Sequence, residues 1–166
     1  SGVDLSYFDE QTGERFIPHV IEPTVGVDRL ALALLCSALT EDTMGDGGST
    51  GAASDNAEKR LFLKLPSEIA PVRIAVFPLL KNKPELVAKA REVYNMLRKM
   101  PGLSGRVAFD DNGNIGKRYR RQDEIGTPEC ITIDFQTLED NTVTVRDRDT
   151  GGQRRVAIGE VIGQII

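Results

Sequence analysis

The sequence has no tryptophan and only 5% aromatic residues, so any apolar core must be built mainly from aliphatic side chains. It has one histidine, His19, and two cysteines, Cys36 and Cys130, neither of which belongs to a CxxC pair. Structural zinc sites usually combine about four such ligands at close spacing. The sequence therefore argues against a metal site of this kind, and we expect two reduced thiols rather than a disulfide.

The sequence also lacks a long hydrophobic run. The longest, residues 30–36, is far shorter than the roughly 20 residues that span a bilayer. No signal peptide is recognisable, and we expect a cytoplasmic protein without membrane contact. There is no Walker-type loop, no GxSxG elbow and no dinucleotide fingerprint, so a self-contained hydrolase or a flavodoxin-like enzyme is not indicated.

The composition is that of a globular protein, with 40% hydrophobic and 28% charged residues in a chain of 166. That length suits one domain with an appendage. The net charge of −4 argues against a protein that coats nucleic acid non-specifically, because such binding needs a large cationic surface. A local basic patch remains compatible with this composition.

Three zones follow one another along the chain. Residues 1–44 contain a turn-rich lead-in, an extended segment and an apolar helix. Residues 45–57 read GDGGSTGAASDNA, which is typical of a flexible linker. Alternating strand-like and helix-like segments fill the remainder. We predict a first domain at 1–44, a linker or insert at 45–68 and a second domain at 69–166.

Hydrophobic periodicity predicts the elements of the second domain. In chain order these are a strand at 73–77, a helix at 84–100, a strand at 106–110, a helix at 116–125, strands at 129–135, 142–148 and 153–157, and a helix beginning at 159. This order predicts a mixed α/β fold with one β-sheet flanked by about three helices.

The helix around residues 30–39 is apolar on nearly all sides. Such a helix has to be surrounded by protein. We therefore expect it to pack on the second domain, to pair with a second copy or to be disordered.

The segment IEPTVGVDRLALALL at residues 21–35 passes from a β-branched stretch through a glycine into this helix. Glu22 and Thr24 share strand parity, so their side chains project to one face, where they could hold a small ammonium-bearing ligand. Arg29 near the helix start could reach across the same cleft. An equally simple interpretation places all three in solvent.

The segment GKRYRRQDE at residues 116–124 places four cations within five positions. On a helix, Lys117, Arg120 and Arg121 cluster on one side, Arg118 flanks them and Tyr119 points toward a core. This basic stripe suits phosphate contacts or stacking on unpaired bases. Because acidic residues follow it directly, a merely solvated surface is also compatible.

The strand TVTVRDRD at residues 142–149 places Arg146 and Arg148 on the face opposite Val143 and Val145. The two arginines could extend the basic surface, or they could pair with neighbouring aspartates.

Taken together, these strings resemble one family. FIPHVIEPTVGVDRLALALL resembles motif 3 of class II aminoacyl-tRNA synthetases in its glycyl form. APVRIAVFPLLKN, GNIGKRYRRQDEIGTPECITIDF and LEDNTVTVRDRDT resemble the anticodon-binding domain of the same enzymes. The resemblance implies an enzyme that activates glycine with ATP and Mg²⁺ and transfers it to glycine tRNA.

The resemblance also implies residue roles. Glycine binding falls to Glu22, Thr24 and Gly26, with Thr24 where the family usually has serine. ATP binding falls to Gly26, Val27, Asp28 and Arg29. Anticodon recognition falls to the cations named above: Lys117, Arg118, Arg120, Arg121, Arg146 and Arg148.

The family's motifs 1 and 2 are not recognisable in these 166 residues. We therefore expect the isolated chain to be inactive and to hold neither ATP nor Mg²⁺, whereas the parent enzyme is expected to be a homodimer. The alternative is a stand-alone RNA-binding accessory module without catalysis.

Overall fold

A computed structural model describes residues 2–42 and 59–165. The predicted flexible linker at 45–57 lies outside these residues. The chain forms two compact units, the first ending at Leu32 and the second beginning at Ala33. Within the described residues, no helix has the length and apolar character needed to cross a membrane.

The first unit contains a short hairpin, in which β1 (Tyr7–Phe8) pairs antiparallel with β2 (Arg15–Phe16). The rings of Tyr7 and Phe16 meet edge to face at 5.8 Å between centroids. The turn-rich lead-in is therefore confirmed. Residues 17–26 form no regular secondary structure, so the strand expected around Glu22 and Thr24 is not formed.

The predicted apolar helix is present as α1 (Val27–Ala38). Its four leucines are between 39 and 64% exposed, and only Ala38 is buried. The helix is therefore formed while its leucines remain accessible. The expectation that this helix packs on the second domain or pairs with a second copy stays a prediction.

The second unit contains the remaining elements, which occur in the following order: β3 (Leu39–Asp42), β4 (Arg60–Leu63), β5 (Ile74–Pro78), α2 (Pro84–Leu97), β6 (Val107–Phe109), α3 (Ile115–Ile125), β7 (Glu129–Ile133), α4 (Phe135–Asp140), β8 (Thr142–Asp147), β9 (Gln153–Ala157) and α5 (Val161–Ile165). β3 and β4 pair antiparallel. The main sheet has the order β6-β5-β7-β8-β9, with β5 parallel to both neighbours and the β7-β8-β9 part antiparallel.

The two faces of the main sheet carry different cores. β5 is buried along its whole length, as expected for a central strand covered on both sides. One face packs its aliphatic side chains against α2, whose buried stripe includes Leu86, Val93 and Leu97. The other face packs Phe77 and its neighbours against Tyr119 of α3. The mixed α/β prediction is confirmed, with four helices on the sheet rather than about three.

The additional helix, α4, arises where the prediction continued a strand to Phe135. The Asp134 side chain accepts a hydrogen bond from the Thr137 backbone N–H at 3.0 Å, and the Thr137 hydroxyl oxygen accepts one from the Asp134 backbone N–H at 3.1 Å. This reciprocal capping box starts a helix. Phe135, expected in the core beside Ile133, is therefore 46% exposed.

The structure also shortens the predicted linker of residues 45–68. β4 lies within that range, and Phe62 and Leu65 are buried. Leu65 joins Ala38 and Ala70 in a small apolar cluster. At least residues 60–65 therefore belong to the folded second unit.

Gly126 allows this segment to pack closely. Its φ is +85°, and a Cβ there would lie 2.9 Å from Leu65 Cδ1 and 3.0 Å from the Leu63 carbonyl oxygen. Substitution by alanine is expected to lower the free energy of unfolding by about 1–3 kcal/mol. Gly105→Ala is the matched control, because its φ is +73° with nothing within 4 Å. Urea unfolding should show the larger loss at Gly126, and equal losses would contradict the close-packing argument.

Candidate nucleic-acid interface

The helix α3 is fixed at both ends by its own sequence. The Asn114 side chain accepts a hydrogen bond from the Lys117 backbone N–H at 2.9 Å, and Gly126 ends the helix in the left-handed conformation. Both are standard helix-capping devices. The buried side of α3 carries Arg118, Tyr119, Gln122 and Asp123. The prediction that Tyr119 points into a core is confirmed.

Three of the predicted cations lie on the outer side of α3. Lys117 and Arg120 are exposed, and the Arg121 side chain is 42% exposed. Arg121 is held by Asp110, with 2.5 Å between Nη2 and Oδ2, and donates to the Asn112 carbonyl at 2.7 Å. Arg120 forms a looser pair with Glu124 at 3.6 Å. Lys117 forms no ion pair with another residue in the described part of the chain. These three residues form what we call the basic stripe.

Arg118 does not belong to the basic stripe, so the expectation that it flanks the exposed cations is wrong. It is 1% exposed. Its guanidinium donates to the carbonyl oxygens of Pro78, Asp111, Asn112 and Gly113. Burial lowers the pKa of Arg118 from its usual value. A group enclosed in this way cannot contact RNA without unfolding its surroundings.

Arg146 and Arg148 are also buried, at 3% and 4% exposure, which corrects their expected place on an open face. Both Nη atoms of Arg146 donate hydrogen bonds to the Asp123 carboxylate, at 2.9 and 3.1 Å, and the guanidinium lies over the Tyr119 ring. Arg148 donates to the carbonyls of Leu65 and Gly126. It also pairs with Asp149 at 2.8 Å, which confirms for this residue the alternative of a neighbouring aspartate. The physical reason is that α3 covers Arg146, and the segments around Leu65 and Gly126 cover Arg148, so the face opposite the valines is closed to solvent here.

Beyond α3 the same sheet face is open. Side chains of Thr144 from β8 and of Gln153 and Arg155 from β9 occupy it. A shallow pocket of about 230 Å³ lies where this face meets α3, lined by Leu79, Ile115, Tyr119, Thr132, Asp134, Thr144 and Gln153. It combines an apolar wall with several hydrogen-bonding groups.

Most polar groups of the pocket are already fixed. Asp134 accepts from Thr144 and Arg155 as well as from Thr137. Burial acts to raise the pKa of Asp134, but the hydrogen bonds from Arg155 and Thr137 outweigh it and hold the pKa below its usual value. Burial raises the pKa of Tyr119, whose hydroxyl shares a 2.6 Å hydrogen bond with Thr132. The Asp134 carboxylate is therefore ionised and Tyr119 neutral at pH 7.

Gln153 is the exception among the polar groups of the pocket. It is exposed, and its side-chain amide has no hydrogen-bond partner in the described part of the chain. An amide offers both donors and an acceptor. Sequence reasoning missed Gln153 and Arg155, treating β9 only as a pairing strand. Strand alternation across QRRVA, with Val156 inward, would have placed both on the opposite face.

The predicted glycine and ATP residues lie in the first unit or at the start of α1. The Thr24 hydroxyl donates to Glu22 at 3.3 Å, so the two side chains do lie together. The Arg29 stem approaches Gly26, and Val27 and Asp28 begin the helix beside it. All six residues are exposed. Their roles in binding glycine and ATP stay predictions.

Comparison with known proteins matches one family within the second unit and full-length relatives over nearly the whole chain. Residues 73–166 match a family described as the anticodon binding domain. Glycine–tRNA ligases of Thermobifida fusca, Streptomyces coelicolor and Corynebacterium efficiens are 53, 48 and 49% identical to this chain, over 97, 99 and 99% of its residues. The chain spans about a third of their length, 32–34%. The resemblance seen in the sequence is confirmed.

Proposed function

This chain belongs to the anticodon-binding-domain family, and we propose that it is the tRNA-recognising part of a glycine–tRNA ligase. The proposal rests on similarity to the glycine–tRNA ligases over nearly the whole chain and on the surface just described. The anticodon loop lies across the basic stripe and the open face of β8 and β9.

The single observation that carries this placement is that one helix, α3, carries the basic stripe on its outer side and lines the pocket of the open sheet face with Ile115 and Tyr119, in a protein of net charge −4. Lysine and arginine bind phosphates, and unpaired bases are read along their edges or stacked on planar side chains. Lys117, Arg120 and Arg121 contact the phosphates of the loop. A base enters the pocket against Tyr119, where the unpartnered amide of Gln153 reads its edge.

The activity of the whole enzyme is part of the same proposal. The parent protein acts in the cytoplasm as a homodimer, activating glycine with ATP and Mg²⁺. Glu22 and Thr24 accept the glycine ammonium, while Arg29 holds ATP. Stabilising phosphoryl-transfer chemistry needs several converging cations, and Arg29 is the only lysine or arginine between residues 17 and 42. A polypeptide of these 166 residues alone is therefore expected not to form glycyl-adenylate.

A stand-alone RNA-binding module is the second candidate function. The exposed leucines of α1 disfavour it. Leaving a leucine side chain in water costs about 1.5–3 kcal/mol relative to burial. Further protein contacting α1 removes that cost, as expected for a part of a larger enzyme.

The proposal is tested by titrating a glycine-tRNA anticodon stem-loop and a stem-loop with changed anticodon bases. We expect the wild-type chain to prefer the cognate RNA, and Gln153→Ala to reduce that preference about tenfold, because one read base edge is worth about 1–3 kcal/mol. Gln164→Ala is the matched control, since this exposed glutamine lies on α5, whose Val161 packs on the other sheet face.

The outcomes separate the alternatives. Equal affinity of the wild-type chain for both stem-loops would overturn the anticodon assignment. A clear wild-type preference that Gln153→Ala and Gln164→Ala both leave unchanged would keep the function and remove Gln153 as a reader.

A further inference from the structure

Arg118 occupies the place where open α/β sheets commonly bind their ligands. Such ligands bind at the carboxyl ends of two neighbouring parallel strands. The helix that follows one strand packs on one face of the sheet, and the helix that follows the other packs on the opposite face. Here α2 follows β5 on one face, and α3 follows β6 on the other. The crevice lies between residues 79–83 and 110–114.

The guanidinium of Arg118 bridges the two sides of this crevice. It donates to Pro78 at the end of β5 and to Asp111 and Gly113 after β6, the latter two at 3.2 and 2.7 Å. All its acceptors in the described residues are backbone carbonyls. A planar group with five fixed donors suits such an array, and a lysine does not. Arg118 therefore fixes one loop relative to the other.

The loop that Arg118 holds from inside also binds a member of the basic stripe from outside. Arg121 donates to the Asn112 carbonyl and pairs with Asp110. Arg118 donates to the same Asn112 carbonyl at 3.4 Å. The direction of the Arg121 guanidinium thus depends on the loop conformation that Arg118 maintains.

We propose that Arg118 is a positioning residue for RNA binding, which sets the 110–114 loop and through it the orientation of Arg121. The proposal rests on the RNA-binding function proposed above. Arg118 itself, at 1% exposure, does not touch the RNA.

Arg118→Met, which keeps the length of the side chain but removes every donor, is expected to lower the affinity for the cognate stem-loop about tenfold. Arg118→Lys keeps the charge and should recover only part of the loss. Arg106→Met is the matched control, because Arg106 also donates to three backbone carbonyls, those of Ser67, Glu68 and Ala70. It holds a loop at the other end of β6 and should leave affinity unchanged. Binding is measured well below the melting temperature of each variant.

A double-mutant cycle with Arg121→Ala distinguishes positioning from a general loss of stability. If Arg118 acts through Arg121, the double variant binds no more weakly than the weaker single variant. Additive losses, or equal losses for Arg118→Met and Arg106→Met, would overturn the inference while wild-type selectivity still supported the proposed function. A wild-type chain without selective binding would instead refute the proposed function.

Discussion

Asp123→Asn is expected to lower the free energy of unfolding by about 3–5 kcal/mol, the loss typical of a broken buried ion pair. Asp123 is 1% exposed and lies on the inner side of α3. It accepts hydrogen bonds from Arg146 on both oxygens and from Arg60 Nη1 at 2.9 Å. One carboxylate thus joins β4, α3 and β8.

Arg60 and Arg146 differ in the ion pairs that each would keep in Asp123→Asn. Arg60 also binds Asp42, at 3.0 Å from Nε and 2.6 Å from Nη2. Arg146 forms its ion pair with Asp123 alone in the described residues, and its Nε already has no hydrogen-bond partner there. Asparagine would present an NH₂ group to one of these cations. The guanidinium of Arg146 would then be buried with its charge unpaired, which is the costly situation.

Urea unfolding of the wild type and Asp123→Asn measures this loss. Glu124→Gln, one position along α3, is the matched control because its pair with Arg120 is half exposed. Exposed pairs contribute about 0–1 kcal/mol. A similar small loss for both variants would mean that the buried network holds little of the domain together.

Local sequence pattern predicted those elements whose burial follows a simple period. The α2 stripe and the inward valines of β8 lie where they were expected, because each packs on the main core. α4 was missed because its signal is a pair of hydrogen bonds between Asp134 and Thr137, not a hydrophobic period. Such a cap competes with continuation of the preceding strand, and here β7 ends at Ile133 and α4 begins at Phe135.

The sequence predicted the helix of the candidate site correctly, but not which of its predicted arginines are exposed and which are buried. Arg118 lies four residues before Gln122, and both belong to the buried stripe, so helical spacing could have identified it. Burial of Arg146 could not be predicted in that way. It depends on α3 crossing over β8 with Asp123 in reach, a long-range arrangement that strand alternation does not contain.

The second large expected effect is a loss of RNA affinity when the basic stripe is removed. Lys117→Ala combined with Arg121→Ala is expected to weaken binding of the cognate stem-loop about a hundredfold, since each charge-assisted hydrogen bond contributes about 1.5 kcal/mol. The salt dependence should fall as well. Each phosphate contact on single-stranded RNA adds about 0.7 to the slope of log affinity against log salt, so the double variant should lose about 1.4.

A control of equal charge separates contact from general attraction. Arg98→Ala combined with Lys99→Ala removes the same charge from the exposed end of α2, on the other face of the sheet. If the RNA lies on the basic stripe, the control changes affinity little and leaves the salt slope intact, because charges beyond about 10 Å are largely screened at 0.1 M salt. Equal weakening by both double variants would show that the RNA senses only net charge, and the basic stripe would then be an ordinary solvated surface.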